Sequence, residues 1–445
     1  MTTQPPPALI GAAANWLANW LTPRRIHAQA MILALCLWAV CAVDFATPGM
    51  FDRAGNIKFQ DFLSFYISGK LIANGQAVHL YDEQQREAAT AHVATDAFVR
   101  RPEKPQSAPP SPNNVRLPNL YGPQFGLLFL TLVRVPFLVA AGIWVGFNLI
   151  VFFVCIRQVL KSCPSLIPYS RTVILCAVAY PPLFHFFVRG QNSVLALACF
   201  TAAYLAFRAK QGWLAGIALG CLIFKPQFLL AIPIVLLLSQ AWKAFTGLVA
   251  SAAAQLALTR VYFGPAVMHA YFDTLWHISR LAGAAELSLA PIQMHSLRSF
   301  WLLLIPWTPI PWPQLALALY ILSSIVVIAM AASAWKSSAP LALRFSALTL
   351  AAVLVNPHLF VYDLLILAPA LLLLVDWTLT NPLPPSSASL KSLVYLAFVL
   401  PLLGPLSHWT HLQLSVPAFT ALLWLLWRQS ATPSHKLAPS DSPVV

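Results

Sequence analysis

The stretch HAQAMILALCLWAVCAVDFA, residues 27 to 46, has the length and apolarity of a segment that crosses a bilayer. Apolar runs of this kind, some shorter, recur to the C-terminus. A soluble chain carries about 25% charged residues. This one carries 9%, against 59% hydrophobic, so it is read as an integral membrane protein. Backbone groups inside a bilayer must be satisfied within the segment or by a closed barrel, and runs of this length satisfy theirs as helices. The expected fold class is therefore an all-α polytopic bundle forming one membrane domain over 1–445.

Crossings are expected at 27 to 46, 136 to 158, 171 to 188, 191 to 208, 212 to 224, 226 to 240, 243 to 263, 313 to 335, 340 to 356, 358 to 376, 391 to 407 and 413 to 428. This gives about 12 transmembrane helices, within a range of about 10 to 13. Tyr121 to Arg134 is too short to cross and reads as re-entrant or interfacial. The junction Lys225-Pro226 decides the parity: two short spans meet there, or one helix kinks.

The net charge of +14 does not imply nucleic acid, because Lys and Arg are scattered singly between apolar runs. They act as topology signals. Arg24, Arg25, Arg157, Lys161, Arg171, Arg208, Lys210, Lys243, Lys336, Arg344 and Arg428 all fall on one side, which the positive-inside rule makes cytoplasmic, together with both termini. Residues 47–119 then form a first external loop, and 264–312 a second external stretch with an interfacial segment from 297. Residues 429–445 form a disordered cytoplasmic tail. The N-terminal MTTQPPPALIGAAANWLANWLTPRR lacks the order of a cleaved signal peptide, and the seven cysteines contain no CxxC pair. Neither a disulfide nor a zinc site is expected.

Of the thirteen acidic residues, eight lie between positions 44 and 103, in and beside the first external loop. Carboxylates are costly unless water or a partner reaches them. Asp61 opens the segment DFLSFYISGKLIANGQAVHLYD, where Phe62, Phe65, Tyr66 and Gly69 follow at helical spacing. A short amphipathic helix on the membrane surface is expected there, with the carboxylate at its start. Four more polar clusters fall at outer span ends: RGQNS at 189–193, KPQ at 225–227, QMHS at 293–296 and NPHLFVYD at 356–363.

One carboxylate among cations and amides at a membrane face suits group transfer from an anionic lipid carrier. Arg189, Lys225 and His358 are candidates to hold a phosphate, and Gln191, Asn192 and Gln227 to bond sugar hydroxyls. Asp61 is the candidate general base. Each cluster alone also reads as helix punctuation or a snorkelling cation, and Asp61 as an N-cap. His295 and His358 read equally as helix-end residues. Their shared face is what favours a site.

DFLSFYISGKLIANGQAVHLYD, YGPQFGLLFL, VRGQNS, FKPQFLL and NPHLFVYDLLIL together resemble the ordered motifs of the polyprenol-phosphate-mannose-dependent mannosyltransferases of the GT-C superfamily, over about 61 to 376. The resemblance implies a GT-C-type enzyme with a catalytic first external loop, which moves a hexose, typically mannose, from a polyprenyl-phosphate sugar donor to a glycan or glycolipid acceptor at the external face, with inversion. It carries the essential acidic residue onto Asp61. Further site positions carry onto Tyr121, Gly190, Gln191, Lys225, Pro226, Pro357 and His358. The sequence departs from the pattern at Gln124 and Asn356.

The candidate substrate-binding set is thus Tyr66, Tyr121, Arg189, Gln191, Asn192, Lys225, Gln227, His295, His358, Tyr362 and Asp363. Inverting transfer needs one base, unlike the paired carboxylates of glycoside hydrolysis. No cofactor is expected, and the reaction does not require a metal, although Asp61 and Asp363 could share one if they approach. The expected location is a bacterial-type plasma (inner) membrane. A lipid-linked sugar transporter or flippase is the rival, but would place polar residues at midplane depth.

Overall fold

The computed structural model describes residues 9–98, 119–281, 292–305, 313–381 and 386–431. The Pro-, Ser- and Asn-rich part of the first loop, much of the second external stretch and most of the C-terminal tail lie outside them. The described residues are helical apart from turns and two isolated antiparallel bridges.

Helix α1 is Leu9–Trp20 and α2 is Pro23–Phe45, where Thr22 caps the Arg25 amide and Pro23 presets the first turn. The first loop contributes α3, Gln60–Ala73, and α4, Glu83–Phe98. Residues Pro123–Phe129 and Leu132–Arg134 are short 3₁₀ turns. As expected, the segment from Tyr121 does not cross as a helix. Next come α5 (Phe137–Leu160), α6 (Ser170–Val178), α7 (Pro181–Arg189), α8 (Ser193–Arg208), α9 (Gly212–Gly220) and α10 (Ile232–Leu238). The long α11, Trp242–Leu281, is broken at Gly264, where φ is 81° and Pro265 follows. The last elements are α12 (Leu297–Leu304), α13 (Pro313–Lys336), α14 (Leu341–Leu354), α15 (Leu367–Thr380), α16 (Ser386–Val399) and α17 (Ser415–Ala431).

Among the described residues, six helices are long and apolar enough to cross a membrane, or seven if the bent pair Pro164–Val178 and Pro181–Arg189 is one span. This is a multi-pass membrane protein. The expectation of about 12 crossings also counts α8, α9, α10, α14 and α17, which are shorter than the roughly 20 residues a full crossing needs. Helix α14 is central: every residue from Phe345 to Leu354 is buried, which matches its lack of a polar face.

The α9–α10 junction is a reversal. Gly212 lies against Lys243, Gly216 against Ala244 and Leu248, and Gly220 against Leu248 and Ser251, so α9 and the start of α11 run parallel. Helix α10 must therefore return, and Lys225-Pro226 is the tip of a hairpin rather than a kink. Gly212, Gly216 and Gly220 recur every four residues on the face that meets α11, an arrangement that lets two backbones approach closely.

Helix α3 differs from its expectation. It does not lie on a surface: Phe62 through Gly69 and Leu71 are buried on all sides. Its Ser64, Ser68 and Gly69 give the nominally polar face so little bulk that another segment covers it. A Cβ on Gly69 would come within 2.8 Å of Phe129, which measures how close the 123–129 turn packs.

Replacing Gly216 with leucine should destabilise the protein by about 1 to 3 kcal/mol, the range for overpacking. A Cβ there would sit 2.1 Å from the Ala244 carbonyl oxygen. Thermal unfolding in detergent should show a lowered midpoint for G216L and little change for G142L, whose position has nothing within 4 Å.

Candidate active site

Helix breaks bring the polar clusters together. Helix α7 stops because Gly190 takes a left-handed conformation, φ 68°, and its N–H bonds back to Phe186 and Phe187. A side chain at 190 would also meet Phe62 at 2.8 Å. The turn that follows is held by Trp144 of α5, whose Nε1–H donates to the carbonyls of Gly190 and Gln191 at 3.1 Å each. Trp144 lies two turns into α5, so the turn sits below the start of that helix.

Asp61 is in the first turn of α3 and does not cap it. The cap position is Phe59, at φ 56°, with no side-chain bond to the helix. Asp61 Oδ2 instead accepts from Gln191 Nε2 at 2.7 Å, and Arg189 lies 3.8 Å from Oδ1. The Gln191 amide is oriented by its other end, where Oε1 accepts from the Tyr121 hydroxyl at 3.3 Å and from the Asn192 N–H at 3.2 Å. Oδ1 accepts no hydrogen bond among the described residues. Burial raises the Asp61 pKa above its ordinary value, opposed chiefly by Arg189 and then by the Gln191 bond. Burial, with Asp363 and Asp61 nearby, pushes the Tyr121 hydroxyl well above 10, so it remains a donor.

A second group adjoins the first. Lys225 Nζ, at the hairpin tip, donates to Asp363 Oδ1 at 2.5 Å and to Ser193 Oγ at 3.0 Å, while Ser193 Oγ–H donates to Asp363 Oδ1 at 2.6 Å. Both charged side chains are almost wholly buried, 1% and 3% exposed. Lys225 also lies over the Tyr362 ring, 5.6 Å from its centroid. Its charge is therefore already matched. Arg189 is the more accessible cation, with its side chain 37% exposed.

The remaining candidates fall nearer or farther away. Asn192 is buried beside Gln191 with neither amide atom hydrogen-bonded among the described residues, and Gln124, the departure noted in the sequence, is alike in this. His358 stacks edge-on against Phe360, and burial lowers its pKa to about 4. A neutral imidazole supplies no positive charge to a phosphate. His295 faces Ser415 at 2.7 Å, and its pKa is pushed down to about 3 by burial. Its backbone N–H bonds Leu359, and Gln413 donates to the carbonyls of Ile292 and Met294, so His295 helps pin the 292–296 segment to its neighbours. Tyr66 points away and donates to the Val135 carbonyl. Gln227 makes no hydrogen bond among the described residues.

Sequence reasoning missed three contributors. Ser193 stood inside a noted cluster without a role. Trp144 carried no local signal. Arg86 donates to Ser64, Ser68 and Leu80 and so clamps α4 against the α3 face below Asp61.

Removing one partner of a buried pair leaves an uncompensated charge, so Lys225→Ala should destabilise the protein by about 3 to 5 kcal/mol. The double variant Lys225→Met, Asp363→Leu should recover most of that loss. Chemical or thermal unfolding of the two purified variants checks this.

The site thus sets an accessible guanidinium beside a carboxylate that has one oxygen bonded and one open. Residues 119–357, more than half of the chain, match Glycosyltransferase family 87, a stretch that includes Tyr121, Arg189, Gln191, Asn192, Ser193 and Lys225 but not Asp61 or Asp363. No curated protein and no solved structure matches the chain. The chain belongs to glycosyltransferase family 87 and is a membrane glycosyltransferase, working on a sugar donor and an acceptor.

Proposed function

We propose that the protein transfers a hexose, with mannose the first candidate, from a polyprenyl phosphate to a glycan or glycolipid acceptor at the external face, with inversion. The observation that carries this reading is Asp61: one oxygen is fixed by Gln191, the other is open, and a guanidinium stands beside it. In the proposed step the acceptor hydroxyl gives its proton to Asp61 Oδ1 as its oxygen bonds to the anomeric carbon. The bond from that carbon to the phosphate oxygen breaks, and the electron pair leaves with the phosphate. Arg189 meets the growing charge. The Lys225–Asp363–Ser193 group supports the site as an organised framework. Gln191, Asn192 and Gln124 supply amides for sugar hydroxyls. The GT-C assignment belongs to this proposal, as do the inner-membrane location and the cytoplasmic termini.

Purified protein in lipid, offered radiolabelled polyprenyl-phosphate sugars, tests the reading. Asp61→Asn should keep the fold and lower transfer by at least about a hundredfold, the lower end of general-base contributions. Only the carboxylate can act as base, so activity should fall as pH drops through a value above the ordinary carboxylate range. Because Arg189 opposes the upward shift, Arg189→Gln should move that acid limb to still higher pH. An unchanged rate in D61N would remove Asp61 from the reaction.

The external face has its own test. Gln76 is exposed in the turn after α3. Gln76→Cys should react with an impermeant thiol reagent in intact cells. Labelling only after the membrane is opened would put the site on the cytoplasmic side.

A further inference from the structure

A cavity lies apart from the polar site. It has a volume of about 520 Å³ and runs beneath α2, which buries only Ala30, Ala34 and Cys41 against the rest of the protein. Helix α2 is held across it by polar contacts. His27 meets Thr172, Tyr395 bonds Gln29, and Trp38 donates to the Val178 carbonyl. Between these struts the lining is almost entirely aliphatic or aromatic, with Phe152, Ile156, Leu371 and Val394 among it. The lined stretch of α2 and its approach, Leu21 to Cys36, is about 22 Å long at 1.5 Å per residue. That is about the depth of one leaflet with its headgroup zone.

The two ends differ. At one end Tyr180 stacks on Phe398, ring centroids 5.4 Å apart, and its hydroxyl donates to the Leu364 carbonyl at 2.9 Å. This closes the cavity off from Asp363. The other end carries Lys391, half-buried, which donates to the Ala18 carbonyl and has no carboxylate partner among the described residues. Arg24, Arg25 and Arg171 are exposed, each next in sequence to a lining residue, Pro23, Ile26 or Thr172. Asp376, on a lining helix, is engaged elsewhere, accepting from the Ser165 N–H.

We propose that this cavity holds one hydrocarbon chain of an anionic glycerophospholipid, with the headgroup phosphate seated against Lys391. Charge complementarity selects the occupant: an apolar slot that opens at an unmatched cation fits a lipid whose chain leads to a phosphate. The closed end at Tyr180 separates this lipid from the donor, whose phosphate belongs at Arg189. A lipid wedged here joins α2 to the bundle where the protein's own side chains do not.

Native mass spectrometry of the purified protein, titrated in detergent with phosphatidylglycerol, phosphatidylcholine or decaprenyl phosphate, tests this. One phosphatidylglycerol should be retained, in preference to phosphatidylcholine by about fivefold, the contribution of one basic residue near an anionic headgroup. Lys391→Gln should reduce retention to the phosphatidylcholine level, and Lys391→Arg should preserve it. Equal retention of the two phospholipids by the unmodified protein would overturn the proposal. So would displacement of phosphatidylglycerol by an equimolar amount of the isoprenyl phosphate, or an unchanged preference in K391Q. The comparison on unmodified protein stands even if a variant fails to fold.

Discussion

The buried pair between Lys225 and Asp363, bridged by Ser193, is the interaction on which the arrangement of the site depends. Two charges can be held out of water only where their geometry is good and their remaining valences are met. Here one carboxylate oxygen receives both the ammonium and the serine hydroxyl. Each partner comes from a different helix break: the start of α8, the tip of the α9–α10 hairpin, and the turn after α14. Those breaks look like defects in three apolar helices. Tied by this pair, they become one polar floor.

Above that floor Asp61 is controlled through an amide. Gln191 is held at its oxygen by Tyr121 and by the Asn192 backbone, so its nitrogen can only donate, and it donates to Asp61. The chain that fixes Gln191 includes the α7 C-cap glycine and the Trp144 indole. A glycine φ after α7, an indole in α5 and a phenol just past the first loop thus converge on the orientation of one carboxylate. The two histidines of the polar clusters play another part. Both are held neutral by burial, and His295 works as a pin between loop segments.

How far the sequence is legible depends on the range of the physics involved. Helix positions were legible because a bilayer imposes length and apolarity on each segment by itself; most expected spans correspond to helices in the structure, and the Tyr121 stretch is not one. The gathering of RGQNS, KPQ and NPHLFVYD was legible because charges and amides are costly anywhere but in a shared polar site. The surface helix at Asp61 was misread because serine and glycine look polar in a pattern, yet their small size is what lets Arg86 of α4 and residues 126 to 133 cover them. Likewise the glycines of α9 carry no hydrophobic signal, and their role exists only when α11 lies against them.

The sequence by itself determined that this chain is a multi-pass membrane helix bundle, and which polar residues have no reason to face lipid, since both follow from local transfer energies. Only the tertiary structure decided what those residues do to one another. Lys225 is spent on Asp363, Arg189 is left accessible, and Asp61 keeps one open oxygen. Such pairings depend on distances of a few ångströms between segments more than a hundred residues apart, which no local pattern encodes.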